Sequence, residues 1–282
     1  MNHLATFDSW YTELLWRLVD SAPVGYVTEI NTRTGSEVRI LPGAVSKTLG
    51  LEDELLPLCG RRRTYPVSAA AEMAWFLMGE RNVTWLNVYS GIWKKFTESD
   101  KRTVTNAYGY RWRHHFHRDQ LGLLVDRLQK EPSDRRTYIG TWDPGRDGLG
   151  TPDVNVPCPV GFTVHIIGGK LHMTVLMRSL DVFVGLPYDV MGFSLLCGIL
   201  ATSLNCELGT LTITAAHAHL YQAHYEMAEK TLTEQRRIPS ISIPRWPLAD
   251  VRTDPDAYVE VLRRQQVKAV WSAYAPKPEV IE

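Results

Sequence analysis

Cys158 stands between Pro157 and Pro159, and the polar residues that follow it are those a covalent catalyst needs. A thiolate is a strong nucleophile, but at neutral pH it forms readily only beside positive charge. Arg178 supplies such a charge. Its planar fork also matches phosphate oxygens, as do those of Arg33, Arg135 and Arg136. Arg178 is the hardest of the four to read as surface charge, because it ends a run filled by Leu171, Val175 and Leu176. Ser179, Asp181 and Asp189 follow it, and His217, His219 and Tyr221 lie further on, all able to orient a polar ligand. Most cysteines are inert packing residues. Here the flanking prolines and the Arg-Ser-x-Asp element favour a nucleophile.

Glu72 interrupts the apolar stretch 71–77. Buried, its carboxyl has a raised pKa and can move protons; on an exposed helix face it does neither, and the pattern allows both. Asp189 likewise reads either as a helix N-cap or as a carboxylate in a pocket. His217, His219 and His224 invite a metal, yet no nearby carboxylate or cysteine completes a familiar ligand set. No metal is expected. Hydrogen bonding to a ligand hydroxyl suits His219 better, with Tyr221 beside it.

The 282 residues suffice for a sizeable core, and 44% hydrophobic with 22% charged residues is ordinary for a soluble globular chain. A formal net charge of +0 gives no reason to expect direct nucleic-acid binding or adhesion to a membrane. The four cysteines, Cys59, Cys158, Cys197 and Cys206, have no CxxC spacing, which points to a reducing compartment. Residues 1–10 lack the basic-then-apolar pattern of a signal peptide. The most apolar stretch, 190–204, is shorter than a membrane span and reads as a buried helix.

Periodicity predicts helices over 7–19, 69–78 (stopping at Gly79), 84–93, 119–130, 188–205 and 220–232, with partial helix over 251–275. Strands are expected at 37–41, 137–142, 162–167, 170–177 and 208–216, with Gly168-Gly169 as a hairpin turn. Helices and strands mix without repeat or linker, so a single α+β domain over 1–282 is expected.

Several of these residues fall into motifs that occur in one order. They are Arg33-Thr34-Gly35, the stretch 71–77 (AEMAWFL), Ile92-Trp93, Ala107-Tyr108-Gly109, Asp134-Arg135-Arg136 and Thr141-Trp142-Asp143. Pro157-Cys158, the stretch 178–189 (RSLDVFVGLPYD) and His219-Leu220-Tyr221 complete the set. Together they resemble the thymidylate synthase family, which includes the pyrimidine nucleotide hydroxymethylases. The resemblance implies a three-layer α+β fold with a mixed sheet forming a homodimer interface. It implies that Cys158 attacks C6 of a pyrimidine and that C5 then takes a one-carbon unit from 5,10-methylenetetrahydrofolate. Arg33, Arg178 and Ser179 would hold the nucleotide phosphate, with Arg135 and Arg136 reaching it from the other subunit. Glu72 would handle protons and order water, and Tyr108 would assist removal of the C5 proton. His219 and Tyr221 would bind the sugar 3′-hydroxyl. Asp181, Trp93, Trp75 and Gly185 would form the folate side.

Four departures from the synthase pattern are informative. Asp189 stands where a synthase has asparagine. An ionised carboxylate accepts from the cytosine amino group and repels uracil O4, so Asp189 points to a cytosine nucleotide. Pro159 replaces a histidine, Lys94-Lys95-Phe96 replaces an acidic stretch with a second tryptophan, and the tail 276–282 lacks a small apolar ending. A wetter site lets water complete the product as a hydroxymethyl group. The expected activity is therefore dCMP 5-hydroxymethylation in the cytoplasm, a virus-encoded enzyme in its host included. CMP hydroxymethylation, dCMP or dUMP methylation and dUMP hydroxymethylation are the alternatives within the family, and a catalytically silent nucleotide- or RNA-binding member is the alternative outside it.

Overall fold

The computed structural model describes residues 3–20, 25–31, 34–150, 155–234 and 238–268. Arg33, the tail 276–282 and the expected helical residues after 268 lie outside them.

Local rules account for most helix ends. Helix α1 (His3–Val19) buries Trp10, Leu14, Leu15 and Leu18 on one side, as its periodicity requires. Helix α2 (Pro66–Met78) opens on proline, whose missing N–H costs nothing there. It ends at Gly79, whose φ of 75° is left-handed and whose N–H donates to the Phe76 carbonyl. A short helical turn, α3 (Tyr108–Tyr110), is followed by a π-turn over Arg111–His115. Helix α4 (Gln120–Lys130) is capped by Asp119, which accepts from the Gly122 N–H at 3.0 Å.

Four short strands, β1 (Val27–Ile30), β2 (Glu37–Ile40), β7 (Leu180–Asp181) and β9 (Ala218–Tyr221), make one sheet in the order β1-β2-β9-β7. The larger sheet runs β3-β8-β6-β5-β4, from β3 (Val45–Gly50), β4 (Tyr138–Gly140), β5 (Pro159–Ile167), β6 (Lys170–Met177) and β8 (Glu207–Ala215). β6 and β8 are parallel and the other pairs antiparallel, so this sheet is mixed. Gly168 and Gly169 both have positive φ, 59° and 77°, and close the β5–β6 hairpin as their sequence suggests.

Helix α5 (Gly185–Ser203) is apolar on nearly every side and is therefore buried, packed against α2, β6 and β8. At 19 residues it is long and apolar enough to cross a membrane, yet 78% of that stretch is covered by the rest of the fold. Helices α6 (Tyr225–Thr233), α7 (Leu248–Thr253) and α8 (Pro255–Lys268) complete the order, with α8 lying along α2. The result is the mixed α+β architecture expected. The other face of the large sheet carries Ser46–Thr214 and Thr48–Thr212 hydroxyl pairs at 2.8 and 2.9 Å, and it leaves Tyr138, Ile167 and Leu176 substantially exposed.

The structure departs from the sequence reading at several elements, the unexpected strands β1 and β3 among them. The helix expected over 84–93 is instead two 3-10 turns, Leu86–Val88 and Ile92–Phe96. The helix expected from 220 begins at Tyr225, because Ala218–Tyr221 pairs with β2 and β7 as a buried strand. Strand β4 keeps only three residues of the six expected.

Candidate active site

The chain reaches Cys158 just before β5, and its neighbours arrive from four other segments. The backbone N–H of Arg178, at the end of β6, donates to the Cys158 carbonyl at 2.9 Å. The Arg178 guanidinium turns back over the same loop. Its Nε donates to the Pro157 carbonyl at 2.8 Å and its Nη2 to the Val156 carbonyl at 2.9 Å, leaving Nη1 for a ligand. It also lies 5.5 Å from the centre of the Trp142 ring. Tyr108 comes from α3 and faces Cys158, close enough for each to shift the other's ionisation. Its approach depends on Gly109, where a Cβ would lie 1.9 Å from the Phe76 carbonyl oxygen, so that only glycine lets α3 meet the backbone of α2.

Asp181 ends β7 and Asp189 lies in the first turns of α5. Asp181 Oδ1 accepts from the N–H groups of Phe183 and Val184, both at 3.0 Å, and so tethers the entry to α5. The helix starts at Gly185, so Asp189 is not its N-cap; it lies one turn inside, facing the site. A Cβ at Gly185 would lie 3.5 Å from both Asp181 Cβ and Asp189 Oδ2, so the helix start passes between the two side chains. Glu72 projects from α2 into the same space, which decides between its two sequence readings. With Tyr108, Tyr188, Asp189 and an apolar rim that includes Met73, Phe76 and Phe193, it lines a cavity of about 20 Å³. That is room for one water with several polar partners.

Burial controls the titration of this cluster. It pushes Glu72 up from 4.5 to about 7. Asp189 is raised well above the usual carboxyl range by burial first, then by the charges of Glu72 and Asp181. Asp189 is therefore biased toward its neutral form, because burial opposes its charge and the acidic side chains of Glu72 on α2 and Asp181 on β7 add to the shift. The Cys158 thiol is also raised. Burial outweighs the downward pull of Arg178, and Asp189 and Asp181 add to the rise. Arg178 moderates the thiol without making it a thiolate by itself. Tyr108 is raised far above the ordinary phenol by burial and by the charges of Cys158 and Asp189.

Glu72 yields a stability prediction. A carboxyl whose folded pKa exceeds its unfolded value leaves the native state unpenalised below 4.5 and penalises it progressively as pH rises through about 7. Glu72→Gln removes this penalty. At about pH 8 the variant is expected to be more stable than the parent by up to about 3 kcal/mol, while the two converge in acid. Thermal melts at the two pH values check the sign.

The aromatic side of the site is continuous. Trp93 lies 5.5 Å from Trp75, 5.8 Å from Phe76 and 5.4 Å from Tyr108, ring centre to ring centre. Its Nε1 is buried without a well-formed hydrogen bond, next to Glu72. His219 and Tyr221 lie on β9, both nearly buried, with rings 4.8 Å apart; His219 is in register with Asp181 of β7. Ser179 is half-buried next to Arg178.

Arg135 and Arg136 are not brought to Cys158 within the chain. Both are exposed before β4, and Arg136 is bonded to Asp134 at 3.1–3.2 Å. Among the described residues, no group of three or more His, Cys, Asp or Glu is placed to hold a metal ion.

Sequence reasoning overlooked Tyr188, although it stands inside the quoted 178–189 run. It also overlooked Arg111 and Arg113, which read as surface charge in a basic stretch but are fully buried. A buried arginine needs partners, and the acidic residues at 143, 147 and 119 are the signal that could have found them.

A family model described as thymidylate synthase matches residues 9–267. The chain belongs to the thymidylate synthase family, whose chemistry is folate-dependent transfer of a one-carbon unit to C5 of a pyrimidine nucleotide.

Proposed function

We propose that this protein is a deoxycytidylate 5-hydroxymethyltransferase that uses 5,10-methylenetetrahydrofolate, with CMP as the alternative substrate. The observation that carries the reading is the placement of Asp189, which faces a buried cavity with Glu72 and Tyr108 and whose carboxyl is pushed by burial well above its usual range, toward the neutral form. A neutral carboxyl group donates through its O–H and accepts through its carbonyl. Cytosine offers the complement: N3 accepts and the N4 amino group donates. Cytosine N3 is also basic enough to take the proton outright, which leaves a charge-assisted pair with Asp189. Uracil N3 already carries hydrogen, so with uracil the pair stays neutral. Charge-assisted hydrogen bonds are about twice as strong as neutral ones, and this difference favours cytosine.

The order of events follows from the residues. Arg178 Nη1, Ser179 and Arg33 hold the phosphate, and His219 and Tyr221 hold the sugar 3′-hydroxyl. Cys158 adds to C6 as its thiol proton passes through the cavity water to the Glu72 carboxylate, and the proton given by Asp189 to N3 neutralises the charge that builds in the ring. C5 thereby becomes a nucleophile. The folate co-substrate, when bound, supplies the one-carbon unit at the oxidation level of formaldehyde. Trp93, Gly185 and Asp181 would hold its ring system, with the buried Trp93 Nε1 and the Asp181 side chain as polar partners; Trp75, expected beside them, is fully buried with its Nε1 bonded to the Asn82 carbonyl and backs Trp93 from the core. Tyr108 remains a neutral phenol, so it assists loss of the C5 proton through a hydrogen-bonded water. The water held by Glu72 and Asp189 adds to the new carbon, and release of Cys158 from C6 frees the hydroxymethyl nucleotide.

The exposed position of Arg135 and Arg136 supports a homodimer in which Arg135 of the partner subunit and Arg136 of the partner subunit complete the phosphate site. The half-apolar outer face of the large sheet is the surface that would pair. The four free cysteines accord with a cytoplasmic setting. The test offers equal amounts of dCMP, CMP, dUMP and UMP with the folate co-substrate and follows which is consumed. Consumption of dCMP first is the expected result. Preferential loss of CMP moves the substrate to the ribonucleotide, and preferential loss of a uracil nucleotide overturns the Asp189 argument.

A further inference from the structure

Behind the site lies a buried polar cluster that the reaction as described does not use. Arg111 is fully buried. Its Nη2 donates to Asp147 at 2.7 Å and to Asn106 Oδ1 at 2.6 Å, and its Nη1 lies 2.9 Å from His115 Nε2. His115 Nε2 is in turn 2.5 Å from Asp143, and Asp147 accepts from the Asp143 N–H at 2.8 Å. Asn106 reaches forward, donating to the Asn155 carbonyl at 2.8 Å, three residues before Cys158. The π-turn of Arg111–His115 brings Arg111 and His115 onto the same carboxylate. Such turns are uncommon and recur near functional sites.

The cluster joins two segments. One, residues 106–115, carries Tyr108; the other comprises residues 143–147 and, through the Asn106 contact, residues 155–158 with Cys158. We propose that Arg111 is a positioning residue, which fixes the register between Tyr108 and Cys158 through Asp147, Asp143 and Asn106. The guanidinium fork suits this task because it meets three partners in fixed directions, whereas a lysine offers one point charge. A displacement of about 1 Å between reacting groups can cost about a hundredfold in rate. The proposal rests on the catalytic roles argued above for Cys158 and Tyr108.

The test uses the full-length protein with Arg111→Lys and the double variant Arg111→Met with Asp147→Leu. An apolar pair can replace a buried ion pair with little loss of stability, so the double variant separates folding from positioning. Two readouts are taken on each folded protein: kcat and KM for the nucleotide, and the pH midpoint of Cys158 alkylation by iodoacetamide. The expected result is a kcat reduced about 10- to 100-fold with nucleotide KM within about twofold, and an alkylation midpoint displaced from that of the parent. Recovery of the melting temperature in the double variant without recovery of kcat completes the expected pattern. The proposal is overturned if kcat and the alkylation midpoint match the parent, or if kcat recovers together with the melting temperature. Alkylation needs no turnover. If the parent proves inactive on every nucleotide, the functional reading fails, while the alkylation midpoint still decides whether Arg111 sets the surroundings of Cys158.

Discussion

Replacing Cys158 with serine is expected to reduce nucleotide turnover by about a thousandfold or more while leaving the melting temperature within a few degrees of the parent. The size of the effect follows from the chemistry of addition to C6. A hydroxyl in this place is a far weaker acid and a poorer nucleophile than a thiol. Serine is close to cysteine in shape, and the hydrogen bonds of the loop run through backbone carbonyls to Arg178, so the fold has little reason to respond. The parent thiol has a pH signature of its own. Burial raises it, so its alkylation should accelerate at a pH above that of an ordinary cysteine, and a bound phosphate that engages Arg178 should move the midpoint further up. Steady-state kinetics and mass-detected alkylation check both statements. Turnover by Cys158→Ser within about tenfold of the parent would remove Cys158 from the mechanism.

The second large effect is expected at Asp189. An amide there is neutral at every working pH and has no proton to give to N3. Asp189→Asn should lose dCMP turnover and gain dUMP turnover, since its N–H donates to uracil O4 while its carbonyl accepts from N3–H. A bidentate contact to a base is worth about 1–3 kcal/mol of discrimination, so loss on one base with gain on the other should move the ratio of kcat/KM values by about a hundredfold or more. The parent's dCMP activity should also fall as rising pH removes the Asp189 proton, at a pH above the ordinary carboxyl range, whereas that of the amide variant on dUMP should lack this limb. A competition assay on the two nucleotides across pH measures both. An unchanged base preference in the variant would mean that recognition lies elsewhere in the site.

Local chemistry is where the sequence was most legible. The Gly168-Gly169 turn, the stop at Gly79 and the amphipathic face of α1 each depend on neighbours within a few residues, and each appears as expected. The segment 84–93 misled because its apolar residues are spaced for a helix, while the chain there breaks into two tight turns that bring Trp93 against Trp75. Strand β9 looked like the beginning of a helix because nothing local shows that β2 and β7 lie on either side of it. The same limit applies to the site. Cys158, Arg178, Glu72 and Asp189 stood out one by one as candidates, but the shift of Asp189 comes first from its burial and then from the charges of Glu72 and Asp181, which only the fold supplies. Arg111 was hidden for the same reason: its partners are 36 residues away at Asp147 and 32 away at Asp143.

The central claim is that water completes a hydroxymethyl group on a cytosine nucleotide. The most direct measurement is the mass of the product formed from dCMP and 5,10-methylenetetrahydrofolate, in ordinary water and in water enriched in the heavy oxygen isotope. The account predicts a gain of CH2O on dCMP, with the heavy isotope incorporated in enriched water. A methylated product, with a gain of CH2 and no oxygen from water, would contradict it.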